Sequence, residues 1–135
     1  MSLEKNKRLV RQFWEAFSLA DTEETFPYLS DDIVLTVSGS TELSGTFRGK
    51  DEIRTKVVNP ERQVMAELKI VPKELIAEGD TVICLADGRG QAKSGQPYNN
   101  HYAFLFRIRE GKIREIIEYL DTSLTETALF GKTLS

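Results

Sequence analysis

A single cysteine, a single histidine and a single tryptophan occur among 135 residues, and the first two scarcities each remove a class of chemistry. Cys84 lies in the apolar run Val82-Ile-Cys-Leu-Ala86, so it has no internal disulfide partner and reads as a small buried filler. With His101 alone, neither a histidine-rich metal centre nor a triad drawing on several histidines is available, and no metal or cofactor is expected. No apolar run approaches the length of a membrane span, and the charged start, Met-Ser-Leu-Glu-Lys-Asn-Lys-Arg, has no apolar stretch for a signal peptide. A soluble, cytoplasmic protein is expected. Neither sign of charge dominates: the net charge is −3 with acids and bases interleaved, which argues against nucleic acid and membrane partners. Arg107, Arg109, Lys112 and Arg114 crowd together, but Glu110 and Glu115 are mixed among them, as on a solvated turn.

What the chain does have is enough length for one domain over residues 1–135, and its most ordered pattern lies between Tyr98 and Thr122. Two β-rich runs flank Glu110-Gly111, where glycine supplies the positive φ of a tight two-residue turn, so an antiparallel hairpin is expected. Pairing Arg109 with Lys112 places Ile108 opposite Ile113, Phe104 opposite Ile117, Tyr102 opposite Tyr119 and Asn100 opposite Asp121 on one face. His101, Ala103, Leu105, Ile116, Glu118 and Leu120 then share the other face, which is also too apolar to lie bare. One face calls for a core and the other for a partner, so a two-fold homodimer through the sheet is expected.

Upstream, Leu3, Val10, Phe13, Trp14 and Phe17 recur at helical spacing over residues 3–20, an amphipathic helix with an aromatic stripe. Asp21 is placed to cap a short helix over Thr22–Leu29 that contains Pro27, and Ser30-Asp31-Asp32 reads as a break. Ile33–Val37 is a β-branched strand, followed by a loop pivoting on Gly45 and Gly49. Asp51–Val58 reads as a helix closed by Asn59-Pro60, because proline disfavours helical geometry in the residue before it. Strands are expected over 66–77, 81–91, 98–109 and 112–120, then a last amphipathic piece over 122–130. Helices grouped before an antiparallel meander imply an α+β domain. Gly88-Arg89-Gly90 begins like a dinucleotide fingerprint, but it lies within the meander and lacks the third glycine, so it reads as a bulge or turn.

This order of elements, with Phe13-Trp14-Glu-Ala-Phe17, Asp31-Asp32, Leu43-Ser-Gly-Thr-Phe-Arg-Gly49, Gly111-Lys-Ile and Glu118-Tyr-Leu-Asp121 at the expected places, resembles the SnoaL-like group of the nuclear transport factor two-like superfamily. The resemblance covers nearly the whole chain. It implies a cone-shaped, strongly curved antiparallel sheet wrapped around the N-terminal helix, a cystatin-like α+β barrel, with a small-molecule pocket and commonly a homodimer. The fold hosts isomerases, cyclases, epoxide hydrolases and proteins without chemistry, so function must be argued from residues. Phe13, Val37 and Ala103 or Phe104 stand where ketosteroid isomerases carry a tyrosine, a carboxylate base and a protonated acid. Apolar side chains supply none of these roles. Asp121 and Asp87 match the two aspartates of limonene epoxide hydrolases, but Leu85 stands where their arginine belongs, with Arg89 nearby. Asp121 is also compatible with the acidic residue of SnoaL-like polyketide cyclases.

The candidate catalytic residues are therefore Asp121, as acid or base among aromatics, and Asn100 opposite it, as an orienting donor or a holder of that aspartate. Asp121 reads equally as the N-cap of the final helix. Trp14, Phe17, Val37, Asp87, Tyr102, Phe104, Ile117 and Tyr119 are the expected substrate-binding set. Together they suit a small hydrophobic molecule, such as a polycyclic carbonyl compound, processed by cofactor-independent acid–base chemistry as in a cyclase, isomerase or lyase. A non-catalytic ligand carrier or dimeric interaction module is the alternative.

Overall fold

The computed structural model describes residues 2–134. Helix α1 runs over Leu3–Ala16, capped by the Ser2 hydroxyl, which accepts from the Lys5 amide at 3.1 Å. It stops at Phe17, which is already extended, so the helix is one turn shorter than its aromatic pattern suggests. A 3-10 turn over Thr22–Tyr28 follows, capped by Asp21. Strand β1 spans Leu29–Val37, and Ser30-Asp31-Asp32, expected as a break, belongs to it. The loop expected next contains a short strand, β2 (Gly45–Arg48).

The helical run after Gly49 does not end at Asn59-Pro60. It passes from α2 (Lys50–Ile53) through a π-helical turn (Arg54–Val58) into α3 (Asn59–Val64). Proline lacks the amide of an i→i−4 bond and crowds the preceding turn, so an interior proline normally breaks a helix. Here the wider π turn lies immediately before Asn59-Pro60, and Pro60 itself takes a first-turn position of α3. Two anchors hold this run. Arg54 forms a forked pair with Glu23 at 3.0 and 2.8 Å, and Arg62 donates to the carbonyls of Leu19 and Ala20 at 2.8 and 3.0 Å.

Strands β3 (Met65–Glu78), β4 (Thr81–Ala92), β5 (His101–Arg109) and β6 (Lys112–Leu120) form the meander, and the six-stranded sheet has the order β2-β1-β6-β5-β4-β3. It is curved and unclosed, with β3 as one edge beside α1. The sheet is not wholly antiparallel, because β1 joins β6 in parallel. Tyr98–Asn100, expected as the start of a strand, precede β5 as irregular chain. Gly88-Arg89-Gly90 is neither a bulge nor a turn but regular β4. Its glycines mark close approaches. A Cβ on Gly88 would lie 2.7 Å from Tyr102 Cε2, and one on Gly90 would lie 2.8 Å from the Glu67 carbonyl.

The β5–β6 hairpin decides what faces the interior. Its turn is as expected, with φ of 52° at Glu110 and 76° at Gly111, the double positive φ of the tightest hairpins. Arg109 pairs with Lys112 and Ile108 with Ile113, also as expected. Then the register slips by one at a bulge opposite Arg107, and Phe104 meets Glu118 and Tyr102 meets Leu120 instead of Ile117 and Tyr119. A single extra residue exchanges the two faces of everything beyond it. Ile116, Glu118 and Leu120 therefore turn inward, whereas Ile117 and Tyr119 turn outward.

The interior holds Val10, Phe13, Ile33, Val82, Phe104, Phe106, Ile108 and Ile113, all buried, between α1 and the concave face of the sheet. Cys84 is buried there too, and that burial pushes its thiol up to about 11, which makes it inert at neutral pH. Filling the Gly88 gap is expected to displace the Tyr102 ring and destabilise the protein by about 1–3 kcal/mol. Chemical denaturation of Gly88→Ala checks this. Adding the same change to Tyr102→Ala is expected to cost little more than Tyr102→Ala alone.

Candidate active site

Inside the cone the helices and sheet leave a cavity in two lobes, of about 60 and 100 Å³. Trp14, Phe17, Glu61, Phe104 and Glu118 line both, so these five residues form the waist. Trp14 and Phe17 reach it from α1 and its C-cap, Phe104 from β5, Glu118 from β6 beyond the bulge, and Glu61 from α3 beyond Pro60. The aromatic wall is continuous. Tyr102 stacks on Phe104 at 5.0 Å, Phe104 lies 4.6 Å from Trp14, and Trp14 meets Phe17 edge-on at 5.5 Å.

The two carboxyl groups dominate the electrostatics. Both residues are half-buried along their length, with carboxyl ends set in packed surroundings against the cavity. Burial alone pushes Glu118 up to about 7. Burial, then the charge of Glu118, pushes Glu61 up to about 8. Neither carboxyl has a hydrogen-bonding or cationic partner among the described residues to hold its ionised form. Near neutral pH the pair therefore offers an ionisable carboxylate beside a protonated acid, the combination that acid–base chemistry requires. Burial holds the Tyr102 phenol well above its usual range, so it stays protonated, able to donate a hydrogen bond and not to act as a base.

Of the residues expected from sequence, Trp14, Phe17, Val37, Tyr102 and Phe104 line the cavity. Asp121 lies outside it. Its exposed side chain accepts from the Leu124 amide at 3.1 Å, as the cap of α4 (Thr122–Leu124), which leads into a π turn over Thr125–Leu129. Asn100 is fully buried, and both ends of its amide are used structurally. Its Oδ1 accepts from the amides of His101 and Asp121 at 2.7 and 2.9 Å, and its Nδ2 donates to the Asp121 carbonyl and to Tyr98 Oη. Asn100 does face Asp121, but through Asp121's backbone. Asp87 is on the outer face, 3.1 Å from His101 Nδ1 and 3.6 Å from Lys73. Ile117 and Tyr119 share that outer face, and Tyr119 is 52% exposed.

Glu61 and Glu118 are the residues that sequence reasoning missed. A signal for Glu118 was present: Arg114-Glu115 sets Ile113 and Ile116 three residues apart, a spacing that a regular strand cannot put on one face and that a bulge at Arg114 restores. No comparable signal marked Glu61, because Asn59-Pro60 reads as a helix stop. Asn100→Ala is expected to cost about 2–4 kcal/mol, since it removes a fully buried amide and strands the part-buried amides of His101 and Asp121. A urea melt measures this directly. Asp121→Asn is expected to retain most of the stability that Asp121→Ala loses.

A fold of this kind has many relatives. An NTF2-like protein of unknown function from Burkholderia pseudomallei superposes with a TM-score of 0.86 at 24% identity, with 96% of this chain and 98% of that chain covered. TerC, crystallised with polyporic acid, superposes at 0.84 and 19% identity, covering 93% and 98%. A protein described as a SnoaL-like polyketide cyclase, from a Jannaschia species, superposes at 0.79 and 16% identity, covering 96% and 94%. No functionally curated protein matches the chain. No helix among the described residues is long and apolar enough to cross a membrane. The profile of the SnoaL-like domain matches residues 10–116, and with the curved sheet around α1 it places this chain in the SnoaL-like family.

Proposed function

We propose that the protein binds a small hydrophobic carbonyl compound in this cavity and moves protons on it without a cofactor, as a cyclase, isomerase or lyase does. The observation that carries the reading is the Glu61–Glu118 pair: two carboxyls of raised pKa that share the waist of an aromatic cavity. In this reading Glu118 is the base that removes a proton beside the carbonyl. Glu61 is the acid that hydrogen-bonds or protonates the developing oxyanion, and the Tyr102 phenol is a further donor. Trp14, Phe17 and Phe104 exclude water, which keeps both carboxyls in the pKa range where either direction of transfer is accessible. The SnoaL-like family and the polyketide-cyclase description of one structural relative agree with this class of chemistry.

Exchange of α-protons for deuterium in a panel of cyclic ketones, followed by NMR in D₂O, tests the proposal without knowledge of the product. Exchange above the buffer rate that Glu118→Gln removes is the expected result. A non-catalytic carrier would bind members of the panel and exchange none of them.

We further propose that the protein assembles as a homodimer through the outer face of the sheet. The supporting pattern is two apolar rows across three strands, Leu85–Ala103–Tyr119 and Ile83–Leu105–Ile117, flanked by the polar pairs Asp87–His101 and Arg107–Glu115. An apolar centre with a charged rim is how protein interfaces are built. Ile116 and Leu120, expected on this face from sequence, face the interior instead. Light scattering is expected to return a dimer at micromolar concentration and a monomer for Leu105→Glu with Tyr119→Glu.

A further inference from the structure

The size and charge of the cavity narrow the substrate further, an inference that rests on the proposed acid–base site. The two lobes, about 60 and 100 Å³, together match the roughly 150 Å³ that holds one benzene ring in an engineered protein cavity. Pockets for drug-sized, multi-ring molecules begin at roughly 300 Å³. The two lobes meet at the waist, so a single ring set beside Glu61 and Glu118 reaches into both, with core residues such as Ile53 and Val57 lining one lobe and Leu43 and Met65 the other.

Charge acts in the same direction. No arginine, lysine or histidine among the described residues lines either lobe, so a carboxylate or phosphate would meet no counter-charge there. It would instead share a desolvated space with two acidic groups, and like charges in such a space cost several times what they cost in water.

A route for a small molecule is present. Trp14, Phe17, Leu68 and Ile70 line both one lobe and an open groove of about 610 Å³, which runs between Ser18-Leu19-Ala20 and the edge strand β3. The groove and the cavity are thus separated by one layer of side chains. Two of the four, Trp14 and Phe17, lie at the end of α1, where the chain leaves helical geometry.

We infer that the site takes a one-ring, non-anionic carbonyl compound, admitted from the groove between Trp14–Phe17 and β3, and that it excludes multi-ring and carboxylated analogues. Trp14 is the chain's only tryptophan and lies at the waist, so its fluorescence reports occupancy independently of turnover. The probes are cyclohex-2-enone, cyclohexanecarboxylate and a four-ring steroid ketone, titrated against the full chain at pH 7.5. Saturable quenching by cyclohexenone, with at least tenfold weaker response to the other two, is the expected result. Tighter binding of the steroid overturns the size limit, equal binding of the carboxylate overturns the charge limit, and no response to cyclohexenone overturns the inference as a whole. Phe104→Ala widens the waist and is expected to raise steroid binding, while Val57→Phe fills one lobe and is expected to weaken cyclohexenone binding with the melting curve still cooperative. Cyclohexenone that binds as expected but exchanges no protons would overturn the acid–base function and leave the size and charge limits standing.

Discussion

Glu118→Gln is expected to lower α-proton exchange of a bound ketone by about 10²- to 10⁴-fold, the usual contribution of a positioned general base. The amide has nearly the shape of the carboxyl but cannot accept a proton from carbon, so binding and turnover separate. Trp14 quenching by the same ketone should survive within a fewfold, because the amide still presents a polar end to the same cavity. Glu61→Gln is expected to act differently. An amide still donates a hydrogen bond to an oxyanion, so it should retain more activity than Glu61→Ala. The pH profile carries a further signature. The two carboxyls, both raised into the neutral range, titrate as a pair, so exchange should rise as the first proton leaves and fall as the second does, giving a bell near neutrality. Glu61→Gln should remove the alkaline limb. Equal exchange by wild type and Glu118→Gln would return the site to a binding role.

The second large effect concerns stability. Both carboxyls have an ordinary value of 4.5 and are raised in the folded state, Glu118 to about 7 and Glu61 to about 8. Between these limits the folded protein binds more protons than the unfolded chain, so stability is greatest below about 4.5 with respect to these groups and falls as pH rises through 7 to 8. At about 1.36 kcal/mol per unit the two raised values correspond to at most about 8 kcal/mol, and because each side chain is partly exposed the expected loss is about 3 kcal/mol, still a large share of the roughly 5–15 kcal/mol that domains usually possess. Replacing both glutamates by glutamine is expected to flatten the profile and make the variant the more stable protein at pH 9. Asp32, lowered to about 2 by its bond to Arg109, does not interfere, since it is ionised in both states throughout this window. Urea denaturation at pH 5, 7 and 9 decides the matter. A wild-type stability that is constant or rises from pH 5 to 9 would mean that the two carboxyls are solvated and the cavity is wet.

Both effects depend on residues whose importance the sequence hid, and the reasons are specific. The aromatic stripe of α1 was legible because helical periodicity reports which face is buried, and Trp14 and Phe17 do line the cavity. Tyr102 and Phe104 were legible from strand alternation, counted from a hairpin turn whose glycine was correctly read. The same count failed beyond Arg107 in the partner strand, because one bulged residue reverses the parity of all that follow. Asp121 was ambiguous between site and cap. The structure puts its carboxylate on the Leu124 amide and outside the cavity.

The sequence by itself determined the α+β class, the hairpin turn and the aromatic residues Trp14, Phe17, Tyr102 and Phe104 of the cavity wall, which follow from local periodicity and turn chemistry, and its order of elements and motifs carried the family resemblance. Only the tertiary structure decided which acids face inward. Glu61 comes inward because a π turn carries the helix past Pro60 and two arginine anchors hold it against the segments that follow α1. Glu118 comes inward because a bulge rotates its strand. Their raised pKa values arise from desolvation by residues distant in the chain, and desolvation is a property of the packed surroundings that no local pattern records.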